Sequence, residues 1–162
     1  MSVSFGGLTP TNAPTNTRNV IDANFSNSTA LPASASSVTS TAFDLGGDNV
    51  TVAVGGGGTP PYATTETINL QVNAPVLNTT QLPNASTVTY TVQDSADNSS
   101  FAAIATLGTT VQTGAGGTGA AAAAAVYKLP PITRRYVRVQ ATAAGSPGAS
   151  MANSNLVVQL AF

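Results

Sequence analysis

Apolar residues along this chain recur at every second position, in short runs separated by Gly, Pro and Asn. In "ETINLQVN" they are Ile68, Leu70 and Val72, opposed by Thr67, Asn69 and Gln71. In "STVTYTVQDS" they are Val88, Tyr90 and Val92, in "RYVRVQATA" Val137, Val139 and Ala141, and in "NLVVQLAF" Leu156, Val158, Leu160 and Phe162. "NVTVAV" repeats the pattern with Val50, Val52 and Val54, and "FAAIATLG" and "TTVQTG" are shorter candidates. "SVTSTAFDLGG" alternates Val38, Ser40, Ala42 and Asp44 against Thr39, Thr41, Phe43 and Leu45, and stops at Gly46-Gly47. A period of two marks half-buried strands. About eight short strands at regular spacing predict an all-β antiparallel sandwich or barrel.

Two stretches break the pattern. Residues 1–37 are Ser, Thr, Asn, Ala and Pro with isolated apolar residues, and Pro10, Pro14 and Pro32 forbid a long helix there. This predicts either a disordered tail or an extended arm that orders along a neighbouring subunit, ahead of a sandwich domain at 38–162. In "GAGGTGAAAAAAVYKLPP" the Ala run has high helix propensity, but glycines precede it and Pro130 follows closely. The expectation is a flexible Gly-rich loop running into a strand that ends near Leu129, with a short helix over 120–127 as the alternative.

Charge is scarce. Charged residues make up 7% of the 162 positions, with a net charge of −1, against roughly a quarter in ordinary soluble domains. Solubility falls to Thr, Ser, Asn and Gln, and a surface so poor in charge has little protection against association. Much of it is therefore expected to meet other protein. The N-terminus lacks the basic and apolar regions of a signal peptide, and its Met1 fits a protein used without export by that route. The longest apolar run, Ala120 to Val126, is too short to span a membrane.

The chain has no Cys, His or Trp, so thiol chemistry, the commonest general base and the commonest zinc ligand are missing. Ser residues lack a His to activate them, and Lys128 stands beside "LPP" with no motif around it. The six acids are Asp22, Asp44, Asp48, Glu66, Asp94 and Asp97, mostly in expected turns, with no sugar-stacking Trp nearby. Asp94 and Asp97 in "QDSADNSSF" have the wrong spacing for a calcium loop and no following Glu. A turn bonded to local amides is expected. "VGGGGTPP" lacks the Gly-Lys-Ser/Thr ending of a phosphate loop. No enzyme activity, cofactor or metal site is expected.

Three of the five basic residues, Arg134, Arg135 and Arg138, crowd "ITRRYVRVQATAAG". On a strand, Arg134, Tyr136, Arg138 and Gln140 share one face, and Arg135 points with Val137 and Val139. Nucleic-acid binders typically make about 6–10 phosphate contacts and interleave aromatics for base stacking. This cluster offers three charges and Tyr136. The readings left are a solvated strand face or contact with an acidic protein surface.

"TAFDLGG", "VTYTVQDSADNSSFAAIATLG" and "VYKLPPITRRYVRVQATAAG" together resemble the cement, or decoration, proteins of tailed-phage capsids, of the small β-sandwich type first described in a Bordetella phage. The likeness covers roughly residues 38–162: a strand ending in D-L-G, an Asp/Asn/Ser loop followed by Phe and a strand, and a late "L-P … R-Y-x-R" strand. The N-terminal arm and the "GAGGTGAAAAAA" loop lie outside it. The resemblance implies a jelly-roll-like sandwich on the outer surface of an icosahedral head. It implies a homo-oligomer, trimer or dimer at local symmetry axes, that bridges neighbouring major capsid proteins and is made in the bacterial host cytoplasm. Arg134, Tyr136 and Arg138 are then the candidate capsid contacts. The competing readings are a head–tail or tail-associated sandwich, and a carbohydrate-binding surface module.

Overall fold

The computed structural model describes residues 21–45 and 68–161. The expected strand at Asn49–Val54 and the "GGGGTPPYAT" loop lie outside the described residues. The strands are β1 (Ile21–Ala30), β2 (Ser37–Thr39), β3 (Phe43–Asp44), β4 (Asn69–Ala74), β5 (Thr87–Ser95), β6 (Ala102–Ala103), β7 (Thr109–Thr113), β8 (Ala123–Lys128), β9 (Tyr136–Ala144) and β10 (Asn155–Ala161).

One sheet has the order β1-β10-β4-β8. The other has the order β2-β9-β5-β6, with β3 also on β9 and β7 also on β5. Every strand pairing is antiparallel. β2 and β3 lie end to end along β9, because β2 pairs Gln140–Thr142 and β3 pairs Tyr136–Val137. β6 and β7 lie end to end along β5 in the same way. Among the described residues each sheet is therefore four strand positions wide. The chain enters them in turn, so that first and last positions neighbour each other in one sheet and second and penultimate in the other. This is jelly-roll order.

The inward positions are those the alternation selects. Leu70, Val72, Val88, Tyr90, Val92, Val137, Val139, Leu156, Val158 and Leu160 form one buried core with Phe43, Leu31 and Met151. Outward positions on the second sheet are largely Thr: Thr87, Thr89 and Thr91 on β5 face Ala144, Thr142 and Gln140 on β9. Threonine supplies β propensity without charge, which is how a sheet surface stays soluble here.

The alternation expected across Val38–Leu45 is corrected by a bulge. Thr39 pairs Gln140 and Phe43 pairs Val137, so the first strand spends one residue more than its partner. Both Ser40 and Phe43 are buried, although strict alternation puts them on opposite faces. The Ser40 hydroxyl accepts from the Val139 N–H at 3.0 Å and donates to the Thr41 carbonyl at 3.1 Å. The small side chain thus supplies the ladder bond that the bulge removes.

An arm reaching to residue 37 is also corrected. β1 pairs with β10 from Ser26 to Ala30 in regular register, and Leu31 just after it is 2% exposed. These residues lie along the chain's own last strand and belong to the sandwich. The Ala run is extended, as favoured over a helix: β8 pairs with β4 along its length. The loop before it is not loose. Gly114 sits where a Cβ would meet the Pro83 carbonyl oxygen at 2.1 Å, and Gly119, at φ +75°, would meet that of Leu77 at 2.1 Å. Glycine is required there for close backbone approach.

Where β4 and β8 end, their inward positions skip. Ala74 and Leu77, and opposite them Ala123 and Ala120, are three apart, and the ladder resumes only at the Leu77–Ala120 bridge. Gln112 of β7 fills the gap from the other sheet. Its Nε2 donates to the carbonyls of Pro75 (2.8 Å) and Ala121 (2.7 Å), and its Oε1 accepts from the Tyr90 hydroxyl at 2.6 Å. Burial pushes the Tyr90 phenol well above its ordinary pKa, so it stays a donor. A second bond between the sheets joins Thr110 and Tyr127, hydroxyl to hydroxyl, at 2.5 Å.

Replacing Gln112→Leu leaves a buried hydroxyl and two carbonyls unpaired, with an expected loss of about 2–4 kcal/mol in denaturant unfolding. Deleting residues 1–37 strips β1 and Leu31, and loss of such a buried Leu alone costs about 2–5 kcal/mol. Thermal melts of the native and truncated chains check this.

Candidate functional site

The loops at the two ends of the sandwich differ in chemistry. One end holds residues 31–36, 75–86, 114–122 and 145–154, and none of these is charged. At or near the other end lie Asp44, Asp94, Asp97, Lys128, Arg134, Arg135 and Arg138. β3 ends there, β5 turns back there and β8 passes there into β9.

The first pair is built on β5. Its inward alternation ends at Asp94, which is 7% exposed. The carboxylate accepts from the Arg134 backbone N–H (Oδ2, 3.0 Å) and Nε (Oδ1, 2.9 Å), and from Arg134 Nη2 at 2.7 Å. This clamps the start of β9 onto the end of β5. A second fork joins Arg135 to Asp44, Nε to Oδ1 and Nη2 to Oδ2, both at 2.8 Å. Here both side chains are nearly half exposed, so it contributes little to stability. Arg135 also lies over the Tyr136 ring, 5.0 Å from its centroid.

Arg138 is held differently. It faces outward on β9 opposite Gln93. Its Nε donates to Gln93 Oε1 at 2.9 Å, and its guanidinium lies over the Phe101 ring at 3.7 Å from the centroid. Gln93 is itself held, donating through Nε2 to Gln140 Oε1 at 3.0 Å. Desolvation lowers the Arg138 pKa from its ordinary value, but a guanidinium stays charged in proteins.

Asp97 organises the turn between β5 and β6. Its Oδ1 accepts from the backbone N–H of Ser100 (2.8 Å) and Ser99 (2.9 Å) and from the Ser95 hydroxyl (2.7 Å). Asn98 beside it takes a left-handed φ of 58°, which Asn tolerates. The expected amide-bonded turn is what forms. Asp94 and Asp97 serve different partners, an arginine and a turn. Among the described residues no three His, Cys, Asp or Glu side chains converge on a metal position.

The expected sharing of one strand face by Arg134, Tyr136, Arg138 and Gln140 is corrected at its first member. Arg134 precedes β9, and its side chain turns to Asp94. The choice between water and an external acidic surface also changes. Arg134 and Arg135 find their acids within the chain, and among the described residues Arg138 has no carboxylate within ion-pair distance. Phe101 and Gln93 at the Arg138 site escape sequence reasoning, because their cross-strand proximity depends on register. Gln112 escapes it too: alternation in "TTVQTG" would turn Val111 inward, yet Val111 is 50% exposed and Gln112 is buried.

No family model and no curated protein matches the chain. Two solved structures of cowpea mosaic virus particles are similar to it. One is the naturally occurring empty top component, at 15% identity and TM-score 0.37 over 85% of this chain and 79% of that one. The other is an empty virus-like particle seen by electron cryo-microscopy, at 17% identity and TM-score 0.39 over 85% and 78%. At scores this low neither likeness bears on function, and the jelly-roll assignment rests on strand order.

The hydrogen bonds of Ser100, Ser95 and Ser99 hold the Asp97 carboxyl well below the ordinary carboxylate range. A carboxyl lowered on folding stabilises above its unfolded pKa, and that contribution fades as pH falls below about 4. Asp97→Asn is therefore expected to be less stable than the native chain near pH 6, with the difference shrinking by about pH 2.5. Denaturant midpoints at the two pH values check it; a constant difference counts against the charge.

Proposed function

We propose that this chain is a structural virion protein: a cement, or decoration, protein on the outer surface of an icosahedral phage head. It bridges neighbouring major capsid proteins, associates with copies of itself at local symmetry axes and performs no catalysis. The observation that carries the reading is jelly-roll strand order combined with outer faces of Thr, Ser, Asn and Gln. That order also occurs in lectins and cupins. The missing His argues against a cupin metal site, and the missing Trp against a sugar platform. The sequence resemblance supplies the phage setting.

The surface physics suits the role. At the charged end Arg134 and Arg135 are already paired with Asp94 and Asp44, so docking there strips water from few bare ions. Ile132 is 78% exposed, yet it stands on an ordered turn in which the Thr133 N–H and hydroxyl both donate to the Pro130 carbonyl, at 2.9 and 2.6 Å. A rigid aliphatic tip loses little entropy on docking. Weak clamps suffice when many act on one shell.

The protein is expected to co-sediment with expanded shells of the major capsid protein encoded with it, and to bind no sugar on a glycan array. Glycan binding without shell binding would overturn the reading. Partition with purified tails instead of heads would favour the tail-associated alternative.

A further inference from the structure

We infer that Arg138, seated between Phe101 and Gln93, is a preformed receptor for one carboxylate side chain on a partner protein surface. The inference rests on the virion reading, which supplies that partner.

Three observations carry it. First, each neighbouring arginine has a partner acid: Arg134 has Asp94 and Arg135 has Asp44. Among the described residues Arg138 has only the neutral oxygen of Gln93, on its Nε. Its two terminal nitrogens have no hydrogen-bond partner among the described residues, although they are the donors that grip a carboxylate in parallel. Second, the guanidinium is held in place. Phe101 covers one face at 3.7 Å from its centroid, Gln93 holds Nε, and Gln140 holds Gln93. A long side chain usually loses rotamer freedom when it binds, and here much of that loss is met by the fold. Third, among the described residues no acid is paired with the Arg138 charge. Asp44 and Asp94 cancel the adjacent arginines, and the nearest outward neighbours on β5 and β9, Thr91 and Gln140, are neutral. A lone guanidinium amid neutral donors matches a single Asp or Glu. It is a poor match for a phosphate backbone, whose binding needs several cations.

The test compares the native protein with Arg138→Glu, Arg138→Lys and Phe101→Leu for co-sedimentation with expanded shells, at low and high salt. Circular dichroism and melting temperature show that each variant is folded. Arg138→Glu is expected to lower apparent shell affinity by about tenfold or more, through repulsion of the partner's acid. Arg138→Lys and Phe101→Leu keep the charge, lose the stack, and are expected to fall between. Salt should weaken the native protein more than Arg138→Glu. Folded variants that bind as tightly as the native chain would overturn the carboxylate site and leave the virion reading standing. A native protein that ignores shells would overturn both. Tighter binding to duplex DNA than to shells would replace the carboxylate with phosphate.

Discussion

The Gln112 side chain spans the interior and ties the two sheets together where the first sheet's ladder is broken. An amide with 3% exposure is costly unless its donors and acceptor are met. Here Pro75, Ala121 and Tyr90 meet both groups. The bonds fix how β7 sits over β4 and β8, and so how the faces carrying Val88, Tyr90 and Val92 meet those carrying Leu70, Val72 and Leu160. They also anchor residues 75–86 and 114–122, whose glycine contacts tolerate little displacement. The outward strand faces inherit their register from this arrangement.

A chain with so few charges places them unevenly. The uncharged end is closed by backbone contacts: Gly148 donates its N–H to the Gln81 carbonyl, Gly114 its N–H to the Ser86 carbonyl, and Leu31 its N–H to Ser154. The charged end is closed by side chains, with Asp94 locking β9 onto β5 and Asp97 shaping the turn that brings Phe101 back under Arg138. The same carboxylates that stabilise this end silence Arg134 and Arg135, which leaves Arg138 as the charge presented outward on β9. Structural closure and surface presentation are therefore one arrangement seen from two sides.

Much of the fold was legible because burial on a strand obeys a period of two. β4, β5, β9 and β10 were readable from their Val, Leu and Tyr spacing, and the extended Ala run from its Gly and Pro flanks. The alternation failed at Ser40, where one extra residue reverses the faces and only a hydroxyl's ability to replace an amide's partner reveals why. It was silent at β1, whose "SNSTA" has no apolar stripe because it is an edge strand with little to bury. The candidate site was legible as a cluster of arginines but not as a geometry. Pairing Arg134 with Asp94 and Arg138 with Phe101 spans 40 and 37 positions, and only strand register brings them together.

The central claim is that the charged end of a jelly-roll sandwich is the surface this protein offers to a capsid. Amide hydrogen exchange of the free and shell-bound protein tests it most directly. The account predicts slowed exchange on binding in the Ala96–Phe101 turn and in residues 129–135, with the uncharged loops at 75–86 and 114–122 unchanged. Protection confined to those uncharged loops would contradict it.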